Sequence, residues 1–248
     1  MDEARRVVAR AEEVGIILRV MGATAVRLHC EKFADLYRAL GRELSDLDFV
    51  GYSRDAKKVK ELFERLNYTQ RRLGYAIAVS AHGERYIFDD EKNNRVVDVF
   101  FDRLKMCHTV EFKDRLELDK PTITLADILL EKMQIVKLNE KDIKDTVVLL
   151  REHEIGDTEK ETVNMRCIVG LLRDDWGFYH TVTTNLKTIE ESLEKFDVLT
   201  KEDCDDVASK VRRLLDAIES ETKSLKWKMR ARVGTSKKWY EEVEETVR

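Results

Sequence analysis

The chain has 248 residues, 38% of them charged, and a formal net charge of −4. That length supports one large or two modest domains with real cores, and the charge excludes a surface coated overall in positive charge for nucleic acid while leaving room for a local basic patch. No apolar run reaches the roughly 18 residues a membrane span requires, and Met1-Asp2-Glu3-Ala4 opens an amphipathic pattern rather than a signal sequence. Cys30, Cys107, Cys167 and Cys204 form no Cys-x-x-Cys pair. The expectation is a cytoplasmic protein with reduced thiols, no disulfide framework and no zinc site.

Ala4, Val7, Val8, Ala11 and Val14 recur at helical spacing and predict a helix over 2–14, ended by Gly15. Ile16 to Met21 reads as a short strand. Gly22 then opens a second helical pattern, with Val26, Cys30, Phe33, Tyr37 and Leu40 on one face. A glycine at a strand–helix joint lets the backbone approach a ligand, and the N–H groups of a helix start favour a phosphate; the same glycine also serves as a plain turn. Leu44 to Gly51 is an apolar run carrying Asp46 and Asp48 two residues apart. In a strand both carboxylates share one face, and Leu47 and Phe49 turn the other way into a core. The alternative is a solvated edge strand.

A helix is predicted over 55–66 through Val59, Leu62, Phe63 and Leu66. Alternation at Tyr75, Ile77 and Val79 predicts a strand over 74–80, joined by the His82-Gly83 turn to a partner over 84–89. After a turn at 91–94, Arg95 to Asp102 reads as a central strand with Asp98 in its middle. A carboxylate there is costly unless it is ion-paired, to Arg95 or a helical Lys, or binds a metal. Further β-like pieces fall at 109–112 and 115–118.

Pro121, the only proline, marks a change of regime, and the expected division is an α/β domain over 1–120 and a helical domain over 121–248. Thr124 with Asp127 resembles a capping box for a helix through Leu138. A second helix is predicted over 140–152, and a third starts at Thr158 with Glu161. Val182, Leu186, Ile189, Leu193 and Phe196 mark a fourth, Thr200 with Asp203 begins a fifth, and a last one over 237–247 carries Trp239 and Val243. The stretch 223–238 mixes Lys and Arg with Trp227. That suits either an RNA acceptor or an amphipathic helix that buries its tryptophans.

Gly22-Ala23-Thr24-Ala25, Ser45-Asp46-Leu47-Asp48-Phe49, Val97-Asp98-Val99-Phe100, Lys132 and Lys141-Asp142-Ile143-Lys144-Asp145 line up in an order that resembles the nucleotidyltransferases of the DNA polymerase β superfamily. The branch most similar is that of the AbiEii-type toxin nucleotidyltransferases. The resemblance covers roughly residues 15–150. It implies an α+β fold, a polymerase-β-like domain with a mixed, mostly antiparallel sheet flanked by helices, followed by a helical C-terminal region. It also implies transfer of a nucleoside monophosphate from an NTP to an acceptor hydroxyl on RNA, protein or a small molecule. Asp46, Asp48 and Asp98 would hold two Mg²⁺ ions; Gly22, Ala23, Thr24, Lys132 and Lys141 would contact the nucleotide. Ala23 stands where the family has Gly or Ser, and the Gly22–Asp46 gap is longer than the family's. These departures carry the alternative: a catalytically inactive binding or regulatory relative, as in a toxin–antitoxin pair. Lys141 and Asp145 also form an i, i+4 pair of the kind a solvated helix carries.

Overall fold

A computed structural model describes residues 1–44, 46–71 and 85–243. They fall into two units, one of Met1–His29, Glu43–Lys105 and Thr109–Thr124, the other of Cys30–Arg42, Met106–His108 and Leu125–Arg248. The break after Thr124 lies just past the expected cut at 120/121. Two stretches of the first half belong with the helical unit.

The first unit opens with α1 (Asp2–Glu13), which buries Ala4, Val7, Val8 and Ala11 as their spacing predicts. The fully buried strand β1 (Leu18–Met21) leads straight into α2 (Gly22–His29). After α3 (Ala34–Ala39), which belongs to the other unit, come β2 (Leu47–Gly51), α4 (Ala56–Arg65), β3 (Thr69–Gln70), β4 (Arg85–Asp90) and β5 (Arg95–Phe101). The five strands form one sheet in the order β1-β2-β5-β4-β3. β2 runs parallel to β5, and the other three pairings are antiparallel. The fold class is therefore α+β with a mixed sheet flanked by helices. A small hairpin, β6 (Arg103–Lys105) with β7 (Thr109–Glu111), follows.

Both faces of the sheet are buried, and the largest aromatic cluster of this unit lies on one of them. Phe49, Phe63 and Phe88 are wholly buried; the ring of Phe63, from α4, stacks on Phe88 at 4.4 Å and meets Phe49 edge-on at 6.1 Å. Each such ring contributes about 1.5–3 kcal/mol by burial, so this face fixes the strands in place.

The second unit is mainly helical: α5 (Leu125–Met133), α6 (Glu140–Glu152), α7 (Met165–Leu172), α8 (Trp176–Ser192), α9 (Lys201–Ser220) and α10 (Leu225–Val233), with a two-stranded parallel pairing of β8 (Glu154–Gly156) and β9 (Thr162–Asn164). The capping box expected at Thr200 is present: its hydroxyl accepts from Asp203 N, and the Asp203 side chain accepts from Thr200 N. Among the described residues no helix is long and apolar enough to cross a membrane. The four cysteines are free thiols.

Several expected elements differ, each for a local reason. The single helix expected from Gly22 through Leu40 is two helices, because the backbone N–H groups of Lys32 and Phe33 donate to the Glu152 carboxylate rather than to helical carbonyls. α5 stops at Met133 instead of Leu138, where Asn185 Nδ2 donates to the carbonyls of Met133 and Ile135. The piece at 115–118 is a turn closed by Arg115 N to Phe112 O and Leu118 N to Arg115 O, not a strand. Thr158 starts no helix; it lies in the loop between β8 and β9, its carbonyl accepts from Thr162 Oγ1, and Asn164 caps α7. Residues 237–243 are not helical. The Trp239 indole there donates to Thr181 Oγ1 at 3.1 Å, and Glu241 N donates to the Cys107 carbonyl. The strand expected over 74–80, the His82-Gly83 turn, Ser45 and residues 244–247 lie outside the described residues.

Candidate functional site

In the parallel pairing of β2 with β5, Asp48 stands opposite Asp98. Paired strands lie about 4.8 Å apart and register partners point to the same face, so the two carboxylates stand side by side. On that face β1 places Met21 beside Asp48, and β4 places Ile87 beside Asp98. Leu47, Phe49, Val97 and Val99 occupy the opposite face and are buried. This alternation pins the acids: a one-residue slip of either strand would drive its carboxylate into the aromatic core.

The turn from β1 into α2 completes the local geometry. Gly22 has φ +69°, and a Cβ built there would come within 2.7 Å of Asp48 Oδ2. Both the left-handed backbone and the close approach require the missing side chain. Ala23 is half-buried and Thr24 is buried; Thr24 Oγ1 donates to the carbonyl of Asp46 at 3.3 Å, tying the first turn of α2 to the lead-in of β2. Asp46 precedes β2 and is half-buried.

Asp98 is 1% exposed, and Arg85 Nε lies 3.9 Å from its Oδ1. That separation makes an ion pair but is too long for a hydrogen bond. The Arg85 guanidinium also lies 5.9 Å from the centre of the Phe100 ring. Among the described residues no three His, Cys, Asp or Glu side chains close into a group able to hold a metal ion, so the structure brings together Asp48 and Asp98, with Asp46 at the margin. Carboxylate oxygens are the hard donors that Mg²⁺ takes, and it retains several waters when so bound. The chemistry of the pair, cradled by a glycine, fits that ion.

Lys132 and Lys141 lie in the helical unit. Lys132, on α5, is buried; its Nζ is 2.9 Å from Asp145 Oδ2 and 3.3 Å from Asp142 Oδ1. Asp145, one turn beyond Asp142 on α6, is wholly buried and also accepts from the Tyr37 hydroxyl at 2.8 Å and from Arg42 Nε at 2.9 Å. Lys132 and Arg42 face Asp142 and Asp145 across the cluster. Burial penalises the Lys132 ammonium, but Asp145, Glu131 and Asp142 outweigh that penalty and hold its pKa above the ordinary lysine value. Burial likewise disfavours the Asp145 carboxylate, yet Lys132 and Arg42 hold it below the usual range. Burial and then Asp145 push Tyr37 up. Lys141 is exposed on α6, outside this cluster.

Sequence reasoning missed Tyr37 and Arg42, because Tyr37 fits an apolar stripe and Arg42 follows Gly41 in an unremarkable turn. Arg85 carried no signal beyond its place at the edge of an expected strand. No protein-family model matches the chain, and no curated protein does.

Proposed function

We propose that the chain is a metal-dependent nucleotidyltransferase of the DNA polymerase β type, similar to the AbiEii-type branch, which moves a nucleoside monophosphate from an NTP to an acceptor hydroxyl. The observation that carries this reading is the parallel register of Asp48 with Asp98, with the Gly22 turn packed against the Asp48 carboxylate. The reading uses residues of the α/β unit alone, since Lys132 is already held by Asp142 and Asp145. The four free thiols suit a reducing compartment such as the cytoplasm.

In such a transfer the acceptor oxygen bonds to the α-phosphorus, the bond to pyrophosphate breaks, and the hydroxyl proton is lost; positioning and charge neutralisation dominate the barrier. Mg²⁺, when bound, supplies the positive charge that offsets the triphosphate and the developing alkoxide. Asp48 and Asp98 fix where that charge sits; Asp46, which precedes β2, closes no three-acid group with them among the described residues. Gly22, Ala23 and Thr24 offer the backbone N–H groups of a helix start to the triphosphate.

The test is incubation of the full chain with labelled NTPs, Mg²⁺ and total cellular RNA and protein. Label transfer that needs the metal and disappears in Asp48→Asn and Asp98→Asn is expected; transfer that persists in both variants refutes the reading. A second reading is favoured by one observation, the burial of Asp98 against Arg85. On it, the aspartate pair with Arg85 is structural, and the chain is an inactive nucleotidyltransferase-fold regulatory partner. NTP binding in a thermal-shift assay, without transfer to any acceptor, would select it.

A further inference from the structure

Leu225, Met229 and Val233 are 72%, 55% and 38% exposed. They lie at i, i+4 and i+8 of α10 and so form one stripe along its nine residues. The other large exposed apolar side chains among the described residues, Val14, Leu44, Leu118 and Val198, are scattered singly, as on any surface. The opposite side of α10 is anchored: the Trp227 ring meets Tyr179 edge-on at 5.0 Å, the Arg230 guanidinium lies 4.7 Å from the centre of the Trp176 ring, and Arg230 Nη1 donates to the Gly234 carbonyl at 2.7 Å. The stripe is therefore held outward by the helix's own attachment. Exposed Lys228 and Arg232 border it on one side and exposed Lys226 on the other. In a chain of net charge −4, the stretch from Thr222 to Tyr240 holds seven Lys or Arg and no Asp or Glu.

We infer that the outer face of α10 is a docking surface for an acidic amphipathic helix of a partner protein. An apolar row fills the stripe, and flanking Asp or Glu side chains pair with Lys226, Lys228 and Arg232. RNA fits less well: base stacking needs aromatic faces, and Trp227 and Trp239 are turned inward onto Tyr179, Trp176 and His180. A second copy of this face would oppose like charges. A lipid surface is poorly matched by a nine-residue helix whose outward row holds no aromatic anchor.

The test is fluorescence anisotropy of the full chain with a dye-labelled synthetic helical peptide carrying Leu at i, i+4 and i+7 and Glu on both flanks. Saturable binding is expected, weakened at least tenfold by the double change Leu225→Ser with Met229→Ser, and by Lys226→Glu with Arg232→Glu. Melting temperature should stay constant in both variants, since the changed side chains are exposed, and a peptide with Lys in place of Glu should not bind. No saturation with the acidic peptide, or binding that both double variants leave unchanged, overturns the inference. So does tighter binding of poly(U) RNA or of phosphatidylglycerol-containing vesicles that the same substitutions abolish.

Discussion

Replacing Gly22 by Ala tests the geometry on which the aspartate pair depends. Two costs combine. A residue with a Cβ held at φ +69° loses about 1–2 kcal/mol relative to glycine. The new Cβ would also sit 2.7 Å from Asp48 Oδ2, inside any tolerable contact, so the carboxylate must leave its rotamer at about 0.5–1.5 kcal/mol. The sum, about 1.5–3.5 kcal/mol, corresponds to a fall in melting temperature of roughly 3–14 °C for a chain of this size. Equilibrium urea unfolding followed by far-UV circular dichroism measures it, and a double-mutant cycle separates the parts. In an Asp48→Ala background the clashing oxygen is gone while Cβ, 3.5 Å away, is an ordinary neighbour, so Gly22→Ala should cost only the backbone portion. A coupling of about 1 kcal/mol is expected. Equal costs in the two backgrounds refute the close-approach argument, and no cost in either refutes the left-handed turn.

Asp145→Asn should destabilise by about 3–5 kcal/mol, since it leaves Lys132 and Arg42 facing a neutral amide in a buried site. Because the folded-state carboxylate is held below its ordinary value, its contribution is intact above pH ~3.9 and lost as pH falls further, so the variant's urea midpoint should be flatter in that range. His108 is buried, with Nε2 2.8 Å from Thr181 Oγ1 and its ring stacked on Phe178; desolvation pushes its pKa down to about 4. Stability should then fall between pH ~6.5 and 4, by roughly 3 kcal/mol over that window, and an imidazole titrating near 6.5 by NMR would contradict this. Thr200→Ala removes the capping box of α9 and should cost about 1–2 kcal/mol in urea unfolding.

How much of this was legible in the sequence follows from the range of the interactions. β2 was readable because Leu47 and Phe49 alternate with its acids, a local and strict pattern that also told which way Asp48 faces. β5 was readable as an apolar run, but its paired Val96-Val97 and Phe100-Phe101 do not alternate with charge, so the side on which Asp98 stands came only from the sheet. The capping box at Thr200 was readable for the same reason: donor and acceptor are three residues apart. That Asp48 lies opposite Asp98 was not readable, because strand pairing joins segments some fifty residues apart and leaves no periodic trace. Nor was the break after α2, which depends on Glu152 accepting from the backbone of Lys32 and Phe33. The i, i+4 spacing of Trp239 and Val243 reads as a helix. The actual position of Trp239 is set by a hydroxyl on α8 and a carbonyl of Cys107, neither of which shapes the pattern of its own segment.

The interleaving of Cys30–Arg42 with the helical unit bears on any attempt to dissect the protein genetically. A fragment starting at Leu125 keeps Lys132 and Asp142 but leaves behind Tyr37 and Arg42, two of the groups that satisfy the buried carboxylate of Asp145. The complementary piece ending at Thr124 carries that tyrosine and arginine without the Asp145 carboxylate they bond. A truncation series read as a map of activities would therefore report instead on a stranded charge.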